Sequence, residues 1–321
     1  MSDWRPGCTA DLLRKRAELL QEIRSFFNKR GVLEVDTPTI SRFPAIDLHL
    51  DPLTVNTVSA GPVRYLITSP EYHMKRLLCA GSGSIYQICK AFRQDESGQR
   101  HNPEFTMIEW YRAGWDHWQL MDEVDALMQV LLRSTAADRI SYDDMFQRQA
   151  GVDPFSLTAE SFLSCCEKHA LSPPGYLTGA DGSNDDRLNF LMGALIEPSL
   201  GAERPVFVHS YPASQASLAR INPENPQVSE RFEVFYKGME LGNGFHELAD
   251  AKEQASRFKK ENRLREKIGK PPFPVDDAFL AALNHGLPDC AGIAMGFERL
   301  FMLAHGVNDI EDVIPFSWDR S

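Results

Sequence analysis

Apolar and polar positions alternate along residues 100–112, RHNPEFTMIEWYR. After the turn signal Asn102-Pro103, this period of two predicts a β-strand. Its two faces carry, respectively, Phe105, Met107, Glu109 and Tyr111, and Thr106, Ile108 and Trp110. Both faces are largely apolar, so we expect the strand to be buried on both sides. Because an unpaired buried carboxylate is costly, the pattern also predicts a positively charged partner for Glu109.

Helical spacing of apolar residues predicts a first helix that contains Leu13 and Phe27 and ends before Gly31, a residue typical of helix C-terminal caps. The patterns Asp116-x-x-Gln119 and Asp250-x-x-Glu253 predict two further helix starts. Predicted strands occupy residues 32–35, 65–68, 86–92 and 205–212, a hairpin at 231–248 and a small-residue strand at 289–296 that leads into a helix. Because the strands pair as hairpins, they favour an α+β fold with a mostly antiparallel sheet flanked by helices.

The chain is expected to form one domain, residues 1–321, with an insertion at about 136–203, where Ser, Pro, Gly and Asp accumulate. Its 321 residues, 43% of them hydrophobic, are enough for a sizeable core. The start, MSDWRPGCTADLL, lacks a signal-peptide layout, and no apolar run reaches the ~18 residues of a membrane span, so a cytoplasmic location is expected.

Net charge and cysteine usage argue against two kinds of binding site, one for nucleic-acid phosphates and one for zinc. The net charge of -11 is the wrong sign for a protein that binds mainly nucleic-acid phosphates. The six cysteines form no C-x-x-C pair, so we expect reduced packing residues and propose no zinc site. The glycines of AGSGS, Gly81 and Gly83, are more typical of a turn than of a phosphate loop.

Three groups of residues have candidate chemistry. The predicted hairpin places Arg93 at its loop end, where a guanidinium suits a phosphate, although a structural ion pair fits equally well. The late hairpin combines Glu233, Glu240, Asn243 and Glu247 with glycines, which suits Mg²⁺ or substrate ammonium groups; a solvated acidic hairpin is the alternative. At a strand-to-helix junction, Gly296 would let a flat ring approach the backbone beside Arg299.

In this order, three segments resemble the three motifs of class II aminoacyl-tRNA synthetases: FFNKRGVLEVDTP, FRQDESGQRHNPEFTMIEWY and GIAMGFERL. TSPEYHMKRLL and GMELGNGFHELADA are similar to the lysine-specific enzymes of this class. The resemblance extends from about Leu12 to the end of the chain. It implies an antiparallel sheet flanked by helices that binds ATP, and an adenylate formed when an amino-acid carboxylate attacks the α-phosphate.

The resemblance also implies residue roles. Arg93 and Arg299 would be catalytic, through contacts with the α-phosphate and the far phosphates. The implied ATP-binding residues are Arg93, Asp95, Asn102, Phe105, Glu240, Leu241, Gly296 and Arg299, and Glu233 and Glu240 would hold Mg²⁺. The implied substrate-binding residues are Ser69, Pro70, Glu71, Glu109, Tyr111, Asn243, Glu247 and Ala294, with Glu109, Tyr111 and Glu247 at the side-chain amine. Asp95 stands where the family usually has glutamate, which weakens the adenine contact expected there.

Only about a dozen residues precede the first predicted helix, so no anticodon-binding OB domain is expected. The chain therefore resembles the stand-alone paralogues that attach (R)-β-lysine to a lysine of elongation factor P. The run YPASQASLAR fits that group, and the motif 1 resemblance implies a homodimer. The alternatives are a truncated lysyl-tRNA synthetase that charges tRNA, and a non-catalytic module that senses lysine or ATP.

Overall fold

A computed structural model of the chain describes residues 4–56, 62–179 and 182–321. The chain forms two compact units. The first consists of Met1–Asp116, Val130–Arg133 and Leu248–Ser321, and the second of His117–Gln129 and Ser134–Glu247. That these units are one domain stays a prediction. Two residues of the predicted insertion, Ala180 and Asp181, and the first three residues lie outside the described residues.

The bounds of the elements follow the chain order. The α-helices are α1 Ala10–Asn28, α2 Glu71–Cys79, α3 His117–Leu132, α4 Tyr142–Gln149, α5 Ala159–Lys168, α6 Gly175–Thr178, α7 Asn184–Leu191, α8 Ala251–Lys267, α9 Asp277–Gly286 and α10 Phe297–His305. The strands are β1 Leu33–Glu34, β2 Ile40–Ser41, β3 Thr54–Val55, β4 Arg64–Leu66, β5 Ile85–Phe92, β6 Glu104–Ala113, β7 Asp138–Ser141, β8 Val206–His209, β9 Arg231–Phe235, β10 Glu240–His246 and β11 Cys290–Gly296.

The predicted helix boundaries have local causes. Thr9 caps α1 by accepting a hydrogen bond from the Leu12 amide at 3.2 Å, and Gly31 beyond its end has a φ of 67°. Asp250 caps α8 by accepting from the amides of Lys252 and Glu253, as the sequence pattern predicted.

In the first unit, strand β6 pairs antiparallel with both β5 and β11, and β1 pairs parallel with β5. Phe92 lies opposite Glu104 and Ile85 opposite Tyr111, so the predicted hairpin is confirmed. A smaller antiparallel sheet has the strand order β2-β4-β3.

Both faces of β6 are buried from residue 106 to residue 111, as predicted. On one face, Trp110 lies opposite Tyr86 of β5. The Phe27 ring of α1 stacks on Tyr86 at 4.5 Å between centroids and contacts Trp110 edge-on at 5.1 Å. Helix α1 therefore covers this face with aromatic packing, and Glu109 lies on the opposite face.

In the second unit, β9 pairs antiparallel with β10 and β8, and β7 pairs parallel with β8. The β9–β10 turn contains Lys237 and Gly238 with φ values of 52° and 64°. A side chain at Gly238 would meet the Pro198 carbonyl oxygen at 2.8 Å. A core that includes Tyr142, Phe146, Phe162 and Leu191 packs the helices of residues 136–203 together. That this segment is an insertion stays a prediction.

The six cysteines are all free, and Cys8, Cys165, Cys166 and Cys290 are buried, which agrees with packing roles. Within the described ranges, no helix combines the length and apolar composition that crossing a bilayer requires.

Candidate active site

The face of β6 opposite α1 is bordered by small side chains on β11. Gly292, Ala294 and Gly296 of β11 lie opposite Tyr111, Glu109 and Met107, respectively. Directly opposed residues in an antiparallel pair project on the same face with Cβ atoms about 5 Å apart. The Ala294 methyl group therefore lies beside Glu109. Because the β11 residues are small, they leave space above this face of the sheet.

Glu109 is 2% exposed, and both of its carboxylate oxygens accept hydrogen bonds from hydroxyl groups. Ser69 donates to Oε2 at 2.7 Å, and Tyr111 donates to Oε1 at 2.7 Å. Burial, together with the nearby Glu71 carboxylate, raises the pKa of Glu109 to about 7. The hydroxyl groups and the Lys75 ammonium act in the opposite direction on this pKa. A cation placed beside Glu109 would therefore lower its pKa and stabilise the ionised carboxylate.

Glu71 begins helix α2, two residues after Ser69, whose hydroxyl accepts a hydrogen bond from the Glu71 main-chain amide at 3.0 Å. One turn later, the fully buried Lys75 donates to Glu71 Oε1 at 2.6 Å. The spacing of four residues places the two side chains on one face of the helix. The Ser69 hydroxyl thus contacts both the Glu71 main chain and the Glu109 carboxylate, and Lys75 places a positive charge beside them.

Gln87 of β5 lies directly opposite Glu109 and is 1% exposed. Neither its amide oxygen nor its amide nitrogen has a hydrogen-bond partner among the described residues. Cys89, two positions along the same strand, carries a thiol that is at most a weak partner. A buried amide is therefore held beside the carboxylate.

Arg93 follows β5 directly, at the loop end of the hairpin as predicted. Its guanidinium lies over the Phe105 ring at 5.1 Å, and Nη1 lies 3.5 Å from Glu96 Oε1. Its Nε is buried and makes no hydrogen bond with the described residues. Asp95 has a left-handed φ of 61°, and its carboxylate accepts a hydrogen bond from the side-chain amide of Gln94, whereas Glu96 is the residue that pairs with Arg93.

Arg299 occupies the predicted strand-to-helix junction, since β11 ends at Gly296 and α10 begins at Phe297. Its Nη2 lies 2.6 Å from the His101 Nε2. The preceding Glu298 accepts hydrogen bonds from the Thr106 amide and from Arg16, each at 2.8 Å. This buried anchor ties the start of α10 to β6 and α1, which fixes the position of Arg299.

Asn102 is 7% exposed, and main-chain groups engage its amide at both ends. Its nitrogen donates to the Glu104 carbonyl at 2.6 Å, and its oxygen accepts from the Trp318 amide at 2.9 Å. The side chain therefore fixes the path of the loop. Gly296 has a φ of -77°, and a Cβ atom there would meet only Arg299 methylenes at 3.8 Å or more. Neither the backbone angle nor the contacts of Gly296 require glycine.

In the second unit, the late hairpin brings Glu233 opposite Asn243. Glu233 accepts a hydrogen bond from the Tyr211 hydroxyl at 2.6 Å and pairs with Arg231 at 2.5 Å, and Arg231 also donates to Asn243 at 3.2 Å. Burial is the main factor that raises the pKa of Glu233, and the negative charge of Glu240 adds to it. Glu233 is therefore part of a buried ion pair, which the sequence pattern did not predict.

The remaining predicted residues of β10 have different environments. Glu240 is half-buried at the first position of the strand, Leu241 is 1% exposed, and Glu247, just beyond the strand, is 4% exposed. The solvated acidic hairpin that the sequence allowed is therefore wrong, because much of the hairpin's charge is buried.

A second buried cluster in this unit consists of His117, Glu230 and His246, with ligand atoms within 4.8 Å of one another. His246 Nδ1 lies 2.8 Å from Glu230 Oε2, and Arg220 donates to the same oxygen. Despite burial, these partners lower the pKa of Glu230 to about 2. Because Arg220 and both histidines share the single Glu230 oxygen Oε2, the geometry fits a structural ion network.

Sequence reasoning missed Lys75, Gln87 and Glu298. Lys75 carried a usable signal, because Glu71 and Lys75 have the spacing of a helical ion pair. Gln87 carried none, since a lone glutamine in a predicted strand is usually at the surface. Within the first unit, the structure brings Ser69, Glu71, Glu109, Tyr111 and Ala294 to one sheet face, and Arg93 and Phe105 to its loop end.

Comparison with known proteins identifies the family. The profile of class II tRNA synthetases (D, K and N) matches residues 2–320. A protein of Edwardsiella ictaluri named elongation factor P--(R)-beta-lysine ligase is 49% identical over 100% of this chain and 99% of its own length. Proteins of the same name from Haemophilus ducreyi and Yersinia enterocolitica are 46% and 47% identical, over 99% and 100% of this chain and 97% and 99% of their own lengths. The chain therefore belongs to the class II tRNA synthetase (D, K and N) family, with an α+β catalytic fold of that class.

Proposed function

We propose that the chain activates (R)-β-lysine with ATP and transfers it to a lysine side chain of elongation factor P. The observation that carries this proposal is the buried Glu109 carboxylate, oriented by two hydroxyl groups beside a sheet face of small residues. Such a carboxylate is suited to a substrate ammonium group. The names of the full-length relatives supply the acceptor and the identity of the amino acid.

The first step would form the adenylate: the substrate carboxylate attacks the α-phosphate of ATP, and pyrophosphate leaves. Arg93 is suited to bind the α-phosphate and the substrate carboxylate, because its Nε is buried without a hydrogen bond in the described structure. Arg299 would bind the far phosphates and stabilise the charge that shifts in the transition state. The lack of any structural need for glycine at position 296 supports an adenine ring there, with Phe105 as its stacking partner.

The family implies Mg²⁺, and the donor set of the second unit fits it chemically. Glu233 and Glu240 are carboxylates close enough for the charge of one to raise the pKa of the other, a repulsion that a cation relieves. Each Glu233 oxygen accepts one hydrogen bond and retains a second lone pair. The two residues would hold the ion, which would neutralise phosphate charge when bound.

For the amine end of the substrate, we propose Glu71 for the ammonium near the carboxylate, and Glu109 and Tyr111 for the side-chain ammonium. Asn243 and Glu247 are assigned to the substrate, and Leu241 and Asp95 to ATP, from the family resemblance. The Asn102 side chain is hydrogen-bonded to two main-chain groups. We therefore assign Asn102 an indirect role, in which it shapes the adenine pocket by fixing the path of the loop.

In the second step, a deprotonated lysine amine of elongation factor P attacks the carbonyl of the mixed anhydride, an amide forms, and AMP leaves. The net charge of -11 favours a basic protein acceptor over tRNA. We place the reaction in the cytoplasm with the rest of translation.

The test supplies enzyme, ATP, Mg²⁺, labelled (R)-β-lysine, elongation factor P and tRNA in one mixture. We expect label in an acid-stable amide on elongation factor P that weakens as salt rises. Label only on tRNA, in a base-labile ester, would instead support the synthetase alternative. Binding of lysine or ATP without pyrophosphate exchange would support the sensor alternative.

We also propose a homodimer through the motif 1 region. Leu33 of β1 and Ile40 of β2 are 56% and 48% exposed, so both large apolar side chains are available to an interface. A two-fold interface would bury them symmetrically. Light scattering at micromolar concentration should give twice the chain mass, and Leu33→Glu should give a monomer. A wild-type monomer would contradict this proposal.

A further inference from the structure

Lys75 contacts Glu71, one of the residues that we assign to the substrate amines, but it has no role in the proposed reaction. Its side chain is 0% exposed, although burial of an ammonium group is costly unless it is paired. Its Nζ donates to Glu71 Oε1 at 2.6 Å. The Glu71 side chain itself is 15% exposed, so the pair has a buried cationic end and a carboxylate end nearer to solvent.

This contact leaves the two oxygens of Glu71 unequal. Oε1 is held by Lys75, whereas the contacts of the described residues leave Oε2 without a hydrogen bond. At the same time, Ser69 connects the main chain of Glu71 to the carboxylate of Glu109. Fixing Oε1 therefore restricts the rotamer of Glu71 and leaves one oxygen for an incoming amine.

Lys75 also adjusts the charge of this face. The negative charge of Glu71 raises the pKa of the buried Glu109 carboxylate. The Lys75 ammonium reduces the sum of these three groups to one negative charge. Around Glu109, the Ser69 and Tyr111 hydroxyls donate to its two oxygens, the Gln87 amide lies directly opposite it, and burial raises the pKa of the nearby Cys89 thiol to about 12.

We propose that Lys75 is a positioning residue for substrate recognition: it orients the Glu71 carboxylate, so that Glu71 accepts one ammonium group of the substrate. This inference rests on the proposed function, because it assigns Glu71 to the substrate amine. It predicts that Lys75 acts on substrate binding through Glu71 and leaves ATP binding unchanged.

The test is a double-mutant cycle with Lys75→Met, Glu71→Gln and the double variant, all in the full chain. Binding of (R)-β-lysine is measured by calorimetry without ATP, and the KM values of both substrates by pyrophosphate exchange. We expect each single variant to raise the Kd for (R)-β-lysine about tenfold or more, with the KM for ATP changed less than about twofold. The double variant should bind within about threefold of Glu71→Gln alone, since the Glu71 carboxylate that Lys75 positions is already absent.

Two features keep this test decisive. The double variant removes both charges of the Lys75–Glu71 pair, which costs less than leaving the Glu71 charge unpaired, and thermal melts of all variants show which of them fold. Lys15→Met is the matched control, because Lys15 and Asp11 form an exposed pair with the same spacing at 2.8 Å. We expect no change in either constant for this control.

The outcomes separate the two proposals. A wild-type chain that binds (R)-β-lysine but exchanges no pyrophosphate would contradict the proposed function and leave the cycle readable by calorimetry. If Lys75→Met weakens binding equally in the wild-type and Glu71→Gln backgrounds, or leaves it unchanged, the positioning role is wrong. A wild-type chain that binds no (R)-β-lysine would overturn both.

Discussion

Replacing Glu109 by glutamine should stabilise the ligand-free protein and abolish substrate binding. The pKa of Glu109 rises from its ordinary value of 4.5 to about 7, mainly because the carboxylate is buried. In this range the folded state binds a proton that the unfolded state has lost, so this group lowers the free energy of unfolding as pH rises. A shift of this size corresponds to about 3 kcal/mol, fully expressed above pH 7 and absent below pH 4.5.

The assay is urea unfolding of the wild type and Glu109→Gln at several pH values from 5 to 8. The difference between the two proteins cancels the titration of all other groups to a first approximation. We expect the variant to gain up to about 3 kcal/mol relative to the wild type between the two ends of this range. A difference that does not vary with pH would refute the assigned environment of Glu109.

The same environment predicts the pH dependence of substrate binding. A substrate ammonium pairs with the ionised carboxylate, so binding below pH 7 requires loss of a proton from Glu109. The kcat/KM for (R)-β-lysine should therefore fall about tenfold for each pH unit below 7, while the KM for ATP changes little. A flat profile between pH 5.5 and 7 would show that Glu109 does not meet the amine.

Three further predictions test other parts of the site. Arg93→Ala and Arg299→Ala should each reduce pyrophosphate exchange about a hundred- to thousandfold, because each loses a transition-state charge contact; near wild-type exchange would reject the role of that arginine. Ala294→Gly should raise kcat/KM for α-lysine relative to (R)-β-lysine, because the methyl beside Glu109 fills space at the amine end of the substrate, and a substrate whose amine is displaced by one carbon tolerates this methyl better than α-lysine does; pocket changes of this size are worth about 1 to 3 kcal/mol, and an unchanged ratio would show that the methyl is irrelevant. Gln87→Met should raise the free energy of unfolding by about 1 kcal/mol, because it removes a buried amide without a partner in the described structure; a loss of stability in urea unfolding would mean that the amide is satisfied.

The sequence by itself determined the local elements and the identity of the chemistry. The period of two in residues 105–111 predicted a strand with two buried faces, because side chains alternate strictly along extended backbone. The capping residue Asp250 and the Lys237-Gly238 turn also act through neighbouring backbone, so their effects are readable from the chain. The motif resemblance predicted roles for Arg93, Glu109 and Arg299, because these residues lie within short segments of fixed spacing.

The tertiary structure alone decided how these residues are paired. The sequence predicted that Glu109 needs a cation, but it could not show that Ser69 and Tyr111 orient the carboxylate, or that Gln87 and Ala294 lie beside it on β5 and β11. These contacts join residues up to 185 positions apart in the numbering, from 109 to 294, and depend on strand register. Register and burial are properties of the packed sheet, so neither the pKa of Glu109 nor the contact of Lys75 with Glu71 could be obtained from composition or periodicity.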